Sequence, residues 1–159
     1  MAKMNEIRWV RAHRCLTVDP GIHTGWALFN RRFSPSDSGV FSVPNDTTQE
    51  RRLFELGRLF LDVIMNTEPD VIVVEDAEYR SGSRKSRASQ AHGSLSLLMK
   101  IVGGYSMMYD SVLLLPAREW KGNLSDEAVA RRVFLTLRRQ YRQHEQEAVG
   151  IGLAIYGTF

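Results

Sequence analysis

Two short apolar runs, each followed by a carboxylate, constrain the fold of this chain more than any other feature. Residues 15–18 (CLTV) precede Asp19, and residues 71–74 (VIVV) precede Glu75. Neither run alternates apolar with polar side chains, which predicts strands that are buried on both faces of a sheet. A sheet of that kind needs helices on both faces, so the two runs predict an α/β fold.

Length and composition fit a single soluble domain. The chain has 159 residues, of which 43% are hydrophobic and 25% charged, enough to build one well-filled core. We expect residues 1–159 to form one domain, with 1–14 as a loose, basic lead-in. The sequence has no apolar stretch of the roughly 18 residues that a membrane span needs, and no signal-peptide core. With Cys15 as its single cysteine, a reducing cytoplasm is the expected location.

The charge balance is mildly positive. The net charge is +3, and arginine outnumbers lysine 17 to 4. Such a balance is compatible with nucleic-acid binding. Arginine also suits phosphate recognition because its forked donors match phosphate oxygens, although genome composition or a hot habitat would produce the same excess.

The order of predicted elements specifies a mixed sheet. The patterns predict strands at 15–19, 25–30, 38–43, 71–75 and 111–115. Helices are predicted from a capping box at Thr47 and Glu50 to Glu68, over 88–109, after Ser125 as N-cap, and from His144 onward. Three consecutive strands followed by βα units predict a five-stranded sheet, an antiparallel meander plus two parallel strands, with helices on both faces.

Four separated residues are candidates for one metal site at the end of this sheet. If the first and fourth strands are neighbours, the carboxylates of Asp19 and Glu75 lie close together. His144 and Glu147 are three residues apart, so they share one face of the last helix. Carboxylates with one imidazole suit Mg²⁺ or Mn²⁺. Such a site indicates phosphodiester chemistry.

Each of these residues also has a purely structural interpretation. Asp19 with Pro20 and Gly21 is a common turn signal. His144 and Glu147 could cap a helix or complement its dipole. Asp76 and Glu78 are rival ligands to Glu75, although alternation along the strand places Asp76 on the opposite face.

Taken in order, the motifs resemble one known family. Residues 18–21 (VDPG) with 24–27 (TGWA), residues 71–75 (VIVVE), and His144-x-x-Glu147 followed by Gly150 resemble the RuvC-type Holliday-junction resolvases of the RNase H-like superfamily, in particular short phage-encoded members. Weaker matches are residues 89–93 and 116–121. The pieces span nearly the whole chain. One residue departs from the pattern, because the family usually has aspartate where this chain has Glu147.

The resemblance implies an RNase H-like fold and a dimeric endonuclease that nicks four-way DNA junctions symmetrically. It implies two Mg²⁺ ions per site, for which Mn²⁺ could substitute. Asp19 would bridge both ions, Glu75 would hold the ion on the nucleophile side, and Glu147 would hold the other. His144 would be a ligand or a proton-handling group. No small-molecule cofactor and no membrane partner are expected.

Basic segments provide candidate DNA contacts. A loop directly after Glu75 carries four cations, and Tyr79 at its root could stack on an unpaired base. The predicted DNA-binding residues are Tyr79, Arg80, Arg84, Lys85, Arg87 and Lys121. A second basic surface consists of Arg131, Arg132, Arg138, Arg139 and Arg142, and it is equally compatible with a solvated helix face.

The dimer is expected to form through the predicted helix over 88–109, because a two-fold junction suits a two-fold dimer. Leu95, Leu98, Val102 and Tyr105 recur on one helical face, and Met99, Met107 and Met108 add adaptable apolar contacts. The alternative is that this face packs on its own sheet.

Three other functions remain open from the sequence. A nuclease for RNA/DNA hybrids or flaps and a non-catalytic junction-binding protein would both suit these motifs. The Asp-x-Gly opening also occurs in the actin-like ATPase fold, but that fold needs two such domains, and this chain has the length of one.

Overall fold

The computed structural model describes residues 3–4, 7–76 and 94–159, and a five-stranded sheet forms its centre. The strands are β1 (Arg14–Asp19), β2 (His23–Asn30), β3 (Pro35–Ser42), β4 (Val71–Asp76) and β5 (Val112–Pro116). Their order across the sheet is β3-β2-β1-β4-β5. The first three strands pair antiparallel, whereas β4 pairs parallel with β1 and β5. The predicted mixed sheet is confirmed.

Helices cover both faces of this sheet. They are α1 (Gln49–Thr67), α2 (Ser94–Ser106), α3 (Ala117–Trp120), α4 (Asp126–Leu137) and α5 (Gln143–Tyr156). On one face α1 and α2 enclose a core that includes Leu16, Phe60 and Tyr105. On the other face α4 and α5 enclose a second core. Within the described part of the chain, no helix has the length and apolar character to cross a membrane.

Alternation along the two central strands decides where their terminal carboxylates point. In β1, Leu16 and Val18 belong to the core under α1 and α2, and in β4 Ile72 and Val74 do the same. Successive side chains of a strand point to opposite faces. The side chains of Asp19 and Glu75, each one residue further along its strand, therefore point to the face that α5 covers.

Glycines allow α5 to lie directly on the sheet. A Cβ atom on Gly25 of β2 would lie 1.9 Å from the carbonyl oxygen of His144. A Cβ atom on Gly152 of α5 would lie 2.0 Å from the Phe29 ring, and one on Gly150 would lie 2.8 Å from the Trp120 ring. Backbone and ring atoms cannot approach so closely if a methyl group stands between them, so these glycines fix the height of α5 above the sheet.

Residues 7–13, the later part of the predicted lead-in, pack against the domain. Residues Arg8–Ala12 form a 3₁₀ helix, and the side chains of Ile7 and Val10 are buried in the core beneath α5. The Arg11 side chain donates a hydrogen bond to the carbonyl oxygen of Ile155. Because the segment is basic overall, the sequence did not indicate that two apolar residues three positions apart, Ile7 and Val10, would anchor it on the last helix.

Several element boundaries also differ from the sequence prediction. Helix α1 is capped by Thr48, whose hydroxyl accepts from the Arg51 amide at 3.3 Å, and not by Thr47. Strand β3 begins at Pro35, three residues before its predicted start at residue 38. The short α3, after Pro116, lies in a segment for which no helix was predicted. Of the helix predicted over 88–109, residues 88–93 lie outside the described residues, and α2 ends at Ser106.

The helical face predicted for dimerisation is largely used inside the protein. Val102 and Tyr105 are buried, and the Tyr105 ring packs on Phe60 with ring centroids 4.1 Å apart. These two residues are therefore not free to form an interface, because the sheet core needs them. Met99 and Met107 of the same region are exposed, by 56% and 88% respectively.

Candidate active site

The candidate site begins with two carboxylates at the ends of adjacent strands. Strands β1 and β4 run parallel with Val18 opposite Val74, so Asp19 and Glu75 are the next residues on neighbouring strands. The pKa of Glu75 is raised to about 7, chiefly by burial; the negative charges of Asp19 and Glu147 act in the same direction, and Lys121 opposes them. Like charges in a partly dry site disfavour ionisation of one another.

The N-terminus of α5 brings His144 to Asp19. Gly25 is the β2 partner of Asp19, and the backbone of His144 lies against that glycine. As a result the His144 Nδ1 atom is 2.9 Å from Asp19 Oδ2. This hydrogen bond raises the pKa of His144. Burial raises the pKa of Asp19, and the contact with His144 opposes that shift.

Glu147 lies one turn further along α5 and is only 5% exposed. Its Oε2 atom accepts a hydrogen bond from Lys121 Nζ at 2.8 Å. Its Oε1 atom is buried without a hydrogen-bond partner among the described residues. Burial raises the pKa of Glu147, and Lys121 lowers it. A buried carboxylate oxygen with no partner is costly unless a cation or a water satisfies it.

Lys121 lies between Glu75 and Glu147. Its Nζ atom is 3.8 Å from Glu75 Oε1, in addition to the contact with Glu147. Burial alone would lower the pKa of Lys121, but the two carboxylates raise it above its ordinary value, so the ammonium group stays charged. Lys121 was predicted as a phosphate contact, and the structure places it inside the carboxylate cluster.

Three further residues near the site were not predicted from the sequence as functional. Trp120 Nε1 donates a hydrogen bond to Glu75 Oε2 at 2.9 Å. His23 stacks on His144 with ring centroids 5.7 Å apart. The charge of Asp126, in the first turn of α4, raises the pKa values of Asp19, His144 and Glu147.

No pattern in the sequence predicts these three contacts. Leu115 of β5 is the parallel partner of Glu75, so the chain that leaves β5 begins beside Glu75, and Trp120 and Lys121 follow there. This register is known only from the folded sheet, and the approach of His23 and Asp126 likewise depends on tertiary packing.

Two neighbouring carboxylates, those of Asp76 and Glu145, are less suited to be metal ligands than those of Glu75 and Glu147. Asp76 pairs with Pro116 on the strand position after Glu75, where alternation turns it to the other face. Glu145 is buried and accepts hydrogen bonds from Ser38 Oγ at 2.7 Å and from the Arg142 amide at 3.2 Å. Burial opposes ionisation of Glu145, but these hydrogen bonds hold its pKa below the ordinary value. Glu145 is thus a cap of α5 and not a free ligand.

Of the predicted DNA-binding residues, the structure describes only Lys121. Glu78 and the predicted DNA-binding residues Tyr79, Arg80, Arg84, Lys85 and Arg87 lie outside the described residues. The second basic surface is exposed on α4 and the segment after it. There the Arg132 and Arg139 guanidinium groups lie over the Phe159 and Tyr141 rings, at 5.5 Å and 5.0 Å from the ring centroids. Both interpretations of that surface remain open.

The donor set suits a divalent ion, although the side chains are not arranged around one. Across residues 3–4, 7–76 and 94–159, no group of three or more His, Cys, Asp and Glu side chains is positioned to hold a metal ion. Instead the four predicted ligands form an Asp19–His144 pair and a Glu75–Lys121–Glu147 cluster. The unpartnered oxygen of Glu147 and the raised carboxyl pKa values both indicate a deficit of positive charge. Mg²⁺ or Mn²⁺ would correct that deficit.

Comparisons with known proteins agree with this geometry at the level of the fold. No protein-family sequence profile and no curated protein sequence matches the chain. The structure is similar to that of Thermus thermophilus RuvC in complex with a Holliday junction substrate, with a TM-score of 0.65 and 18% sequence identity over 90% of this chain and 94% of that one. A second Thermus thermophilus RuvC structure matches with a TM-score of 0.58 and 19% identity over the same shares.

These similarities extend over nearly the full length of both chains. The predicted resemblance to RuvC-type proteins is therefore confirmed in the fold, and the chain has the RNase H-like architecture of RuvC.

Proposed function

We propose that this chain is a metal-dependent endonuclease that resolves four-way DNA junctions by paired, symmetric nicks. One observation carries the proposal. In a RuvC fold, two strand-end carboxylates on adjacent strands meet an imidazole and a third carboxylate from the last helix. The solved RuvC that the chain resembles is bound to a Holliday junction substrate.

The metal ligands in this proposal are Asp19, Glu75, Glu147 and His144. Bound Mg²⁺, or Mn²⁺ in its place, two ions to a site, would activate the attacking water and stabilise the leaving 3′ oxygen. Asp19 would contribute to both ions, because it lies on the strand next to that of Glu75 and its carboxylate contacts His144. Glu75 and Glu147 would each serve one ion. The buried surroundings keep bulk water away from these carboxylates and strengthen their electrostatic effect.

His144 is suited to proton handling as well as to ligation. Its Nδ1 atom is occupied by Asp19, which leaves Nε2 as the ring nitrogen that can exchange a proton with the phosphate or its leaving group. The hydrogen bond with Asp19 also fixes the orientation of the ring.

Lys121 has a second role in this proposal. Its ammonium group is held between Glu75 and Glu147. With those carboxylates engaged as metal ligands, the Lys121 side chain would be free to contact a DNA phosphate, as predicted from the sequence. The remaining proposed DNA contacts are Tyr79 and the cations of residues 80–87. We further propose a homodimer acting in the cytoplasm, in a host cell if the gene belongs to a phage.

A substrate panel tests the proposal. A synthetic four-way junction, a linear duplex, a flap and an RNA/DNA hybrid are each incubated with the protein and Mg²⁺. The proposal expects rapid cutting of the junction alone. Equal or faster cutting of the hybrid or the flap would replace it with the other nuclease function.

One observation favours a second candidate, a non-catalytic junction-binding protein. Lys121 already compensates two of the three carboxylates without a metal ion. Tight junction binding without cutting in either Mg²⁺ or Mn²⁺ would select this candidate.

A further inference from the structure

We propose that Trp120 is a positioning residue for Glu75. The indole N–H of Trp120 holds one oxygen of the Glu75 carboxylate, so that the other oxygen is presented to the metal ion. This inference rests on the proposed function, since it assigns a partner to one of the proposed ligands. It adds a residue that was not predicted from the sequence as functional.

The two oxygens of Glu75 have different partners. Oε2 accepts the Trp120 N–H at 2.9 Å, whereas Oε1 faces Lys121 Nζ at 3.8 Å. The hydrogen bond therefore fixes the rotation of the carboxylate plane. Oε1 is left on the side where Lys121 and Glu147 meet.

The indole ring is itself held from several directions. It is 6% exposed, and Gly150 of α5 leaves room for it. The Phe159 ring packs on it with centroids 5.5 Å apart, and Lys121 Nζ lies 5.0 Å from its ring centroid. Gly150 is three residues after Glu147 on the same helix. Trp120 therefore connects the end of β4 to the helix that carries Glu147 and His144.

A neutral donor has an advantage at this position. An N–H group orients a carboxylate without cancelling its charge, so the full negative charge remains for a divalent cation. An ammonium group on the same oxygen would compete with the metal. Groups that orient metal ligands by hydrogen bonding typically contribute about 10–100-fold to metal affinity or activity.

The test separates the hydrogen bond from the packing of the ring. Mn²⁺ affinity is measured by calorimetry without DNA for the wild type and for Trp120→Phe, which retains a buried aromatic ring and loses the donor. We expect Trp120→Phe to bind Mn²⁺ about 10–100-fold more weakly. In a Glu75→Ala background, where the acceptor is absent, the same substitution should cause no further loss. Trp9→Phe, at a residue that is 51% exposed, is the matched control and should bind as the wild type does.

A second variant covers the case in which phenylalanine disturbs the fold. Replacing Trp120 with 3-benzothienylalanine exchanges the N–H for sulfur and keeps the shape of the bicyclic ring. We expect the same loss of affinity with an unchanged melting temperature of the metal-free protein. Mg²⁺ should also shift the Trp120 indole resonance in ¹H–¹⁵N spectra of the wild type.

The failures of the two proposals are distinguishable. Wild-type protein that binds neither Mn²⁺ nor Mg²⁺ would refute the proposed function and this inference with it. Wild-type binding with equal affinity in both Trp120 variants would refute the positioning role alone. So would an equally large loss of affinity in the Glu75→Ala background, since the effect would then not act through Glu75.

Discussion

At the scale of single residues, the charge of the site depends on one lysine and one histidine. Three buried or half-buried carboxylates, of Asp19, Glu75 and Glu147, have raised pKa values, and the Lys121 ammonium group and the His144 imidazole, whose own pKa is raised, face them. The length of Glu147 matters here. Where RuvC-type proteins usually have aspartate, the longer side chain reaches the Lys121 ammonium group at 2.8 Å.

The first prediction concerns Glu147→Gln. If Glu147 is a metal ligand, its charge is required, and we expect junction cleavage to fall at least about 100-fold, as when one electrostatic contact to a transition state is removed. Junction binding should be unchanged or tighter, because one negative charge facing the phosphates disappears. Glu147→Asp should keep a substantial part of the activity, and more with Mn²⁺ than with Mg²⁺, which demands near-ideal octahedral geometry. Cleavage rates and gel-shift affinities measure these effects.

Glu145→Gln is the matched control. Glu145 lies two residues away on the same helix, but its carboxylate caps α5 through Ser38 and Arg142. Its substitution should cost about 1 kcal/mol of stability and leave cleavage intact. Full activity in Glu147→Gln would show that Glu147 only interacts with the dipole of its helix. Such an interaction contributes about 0.3–1 kcal/mol to stability at a helix start.

The second prediction is a pH dependence that originates at Glu75. Its carboxyl group has an ordinary pKa of 4.5 and a folded-state pKa of about 7. Between these values the folded protein keeps a proton that the unfolded chain has lost, so stability decreases as the pH rises through this window. Glu75→Gln removes the titration. In metal-free buffer its melting temperature should match the wild type near pH 4, exceed it increasingly up to pH 7, and keep a constant advantage above that.

Scanning calorimetry with a chelator present provides this measurement. Asp19 and Glu147 also have raised pKa values, so the Glu75→Gln variant retains some pH dependence of the same sign. A difference in melting temperature between the wild type and Glu75→Gln that does not change with pH would contradict the raised pKa of Glu75.

At the scale of secondary-structure elements, the close contact of α5 with β2 creates the site. Gly25 is opposite Asp19 in the β1–β2 ladder and touches the backbone of His144. The third prediction is that Gly25→Ala, which places a Cβ atom 1.9 Å from the His144 carbonyl oxygen, pushes α5 away from the sheet. We expect a loss of at least about 1–3 kcal/mol of stability, as for other overpacked positions, together with a large loss of cleavage.

Gly103→Ala is the control for this helix-packing argument. A Cβ atom on Gly103 of α2 has no described neighbour within 4 Å. Alanine is a better helix former than glycine by about 1 kcal/mol, so this variant should melt slightly higher and cleave normally. Thermal melting and cleavage assays on both variants decide the matter. Normal cleavage by Gly25→Ala would show that the approach of α5 to β2 does not position His144.

The sequence was sufficient to predict the sheet because its strongest signals are local. The unalternating runs before Asp19 and Glu75 specified two buried strands, and the hairpin signals specified the meander. The pairing of Lys121 with Glu75 and Glu147 was not predictable in this way. It depends on how the turn after β5 folds back over the end of β4, and no periodic pattern records that path.

The sequence likewise could not show which residues of the predicted interface face pack inside the protein, and the dimer itself stays a prediction. Periodicity shows that Val102 and Tyr105 share a helical face, but it does not distinguish a face that packs on its own sheet from one that packs on a second subunit. The Tyr105 hydroxyl is within 2.9 Å of Thr24 Oγ1 inside the protein. Buried polar contacts of this kind are visible only once the chain is folded.

At the scale of the whole molecule, two coordinated cuts require two sites. The fourth prediction is that the protein is a two-fold dimer, which matches the symmetry of a four-way junction. The exposed side chains of Met99 and Met107 are the best candidates for contacts from the α2 region, since methionine adapts to irregular apolar surfaces. Met99→Glu should weaken the dimer, whereas Met65→Glu on α1, also at an exposed methionine, should not.

Sedimentation velocity at micromolar concentration measures the oligomeric state. A protein that remains monomeric both without and with a junction would contradict the dimer, and with it the proposal of simultaneous paired cutting.

Mapping the cuts in one four-way junction shows whether the protein is a metal-dependent resolvase. Each strand is labelled in turn, and the wild-type protein is added with Mg²⁺ or with a chelator. We expect nicks at symmetry-related positions on two opposing strands, ends that a ligase can seal, and no cutting with the chelator. Cuts confined to one strand, or cuts that persist with the chelator, would contradict a metal-dependent resolvase.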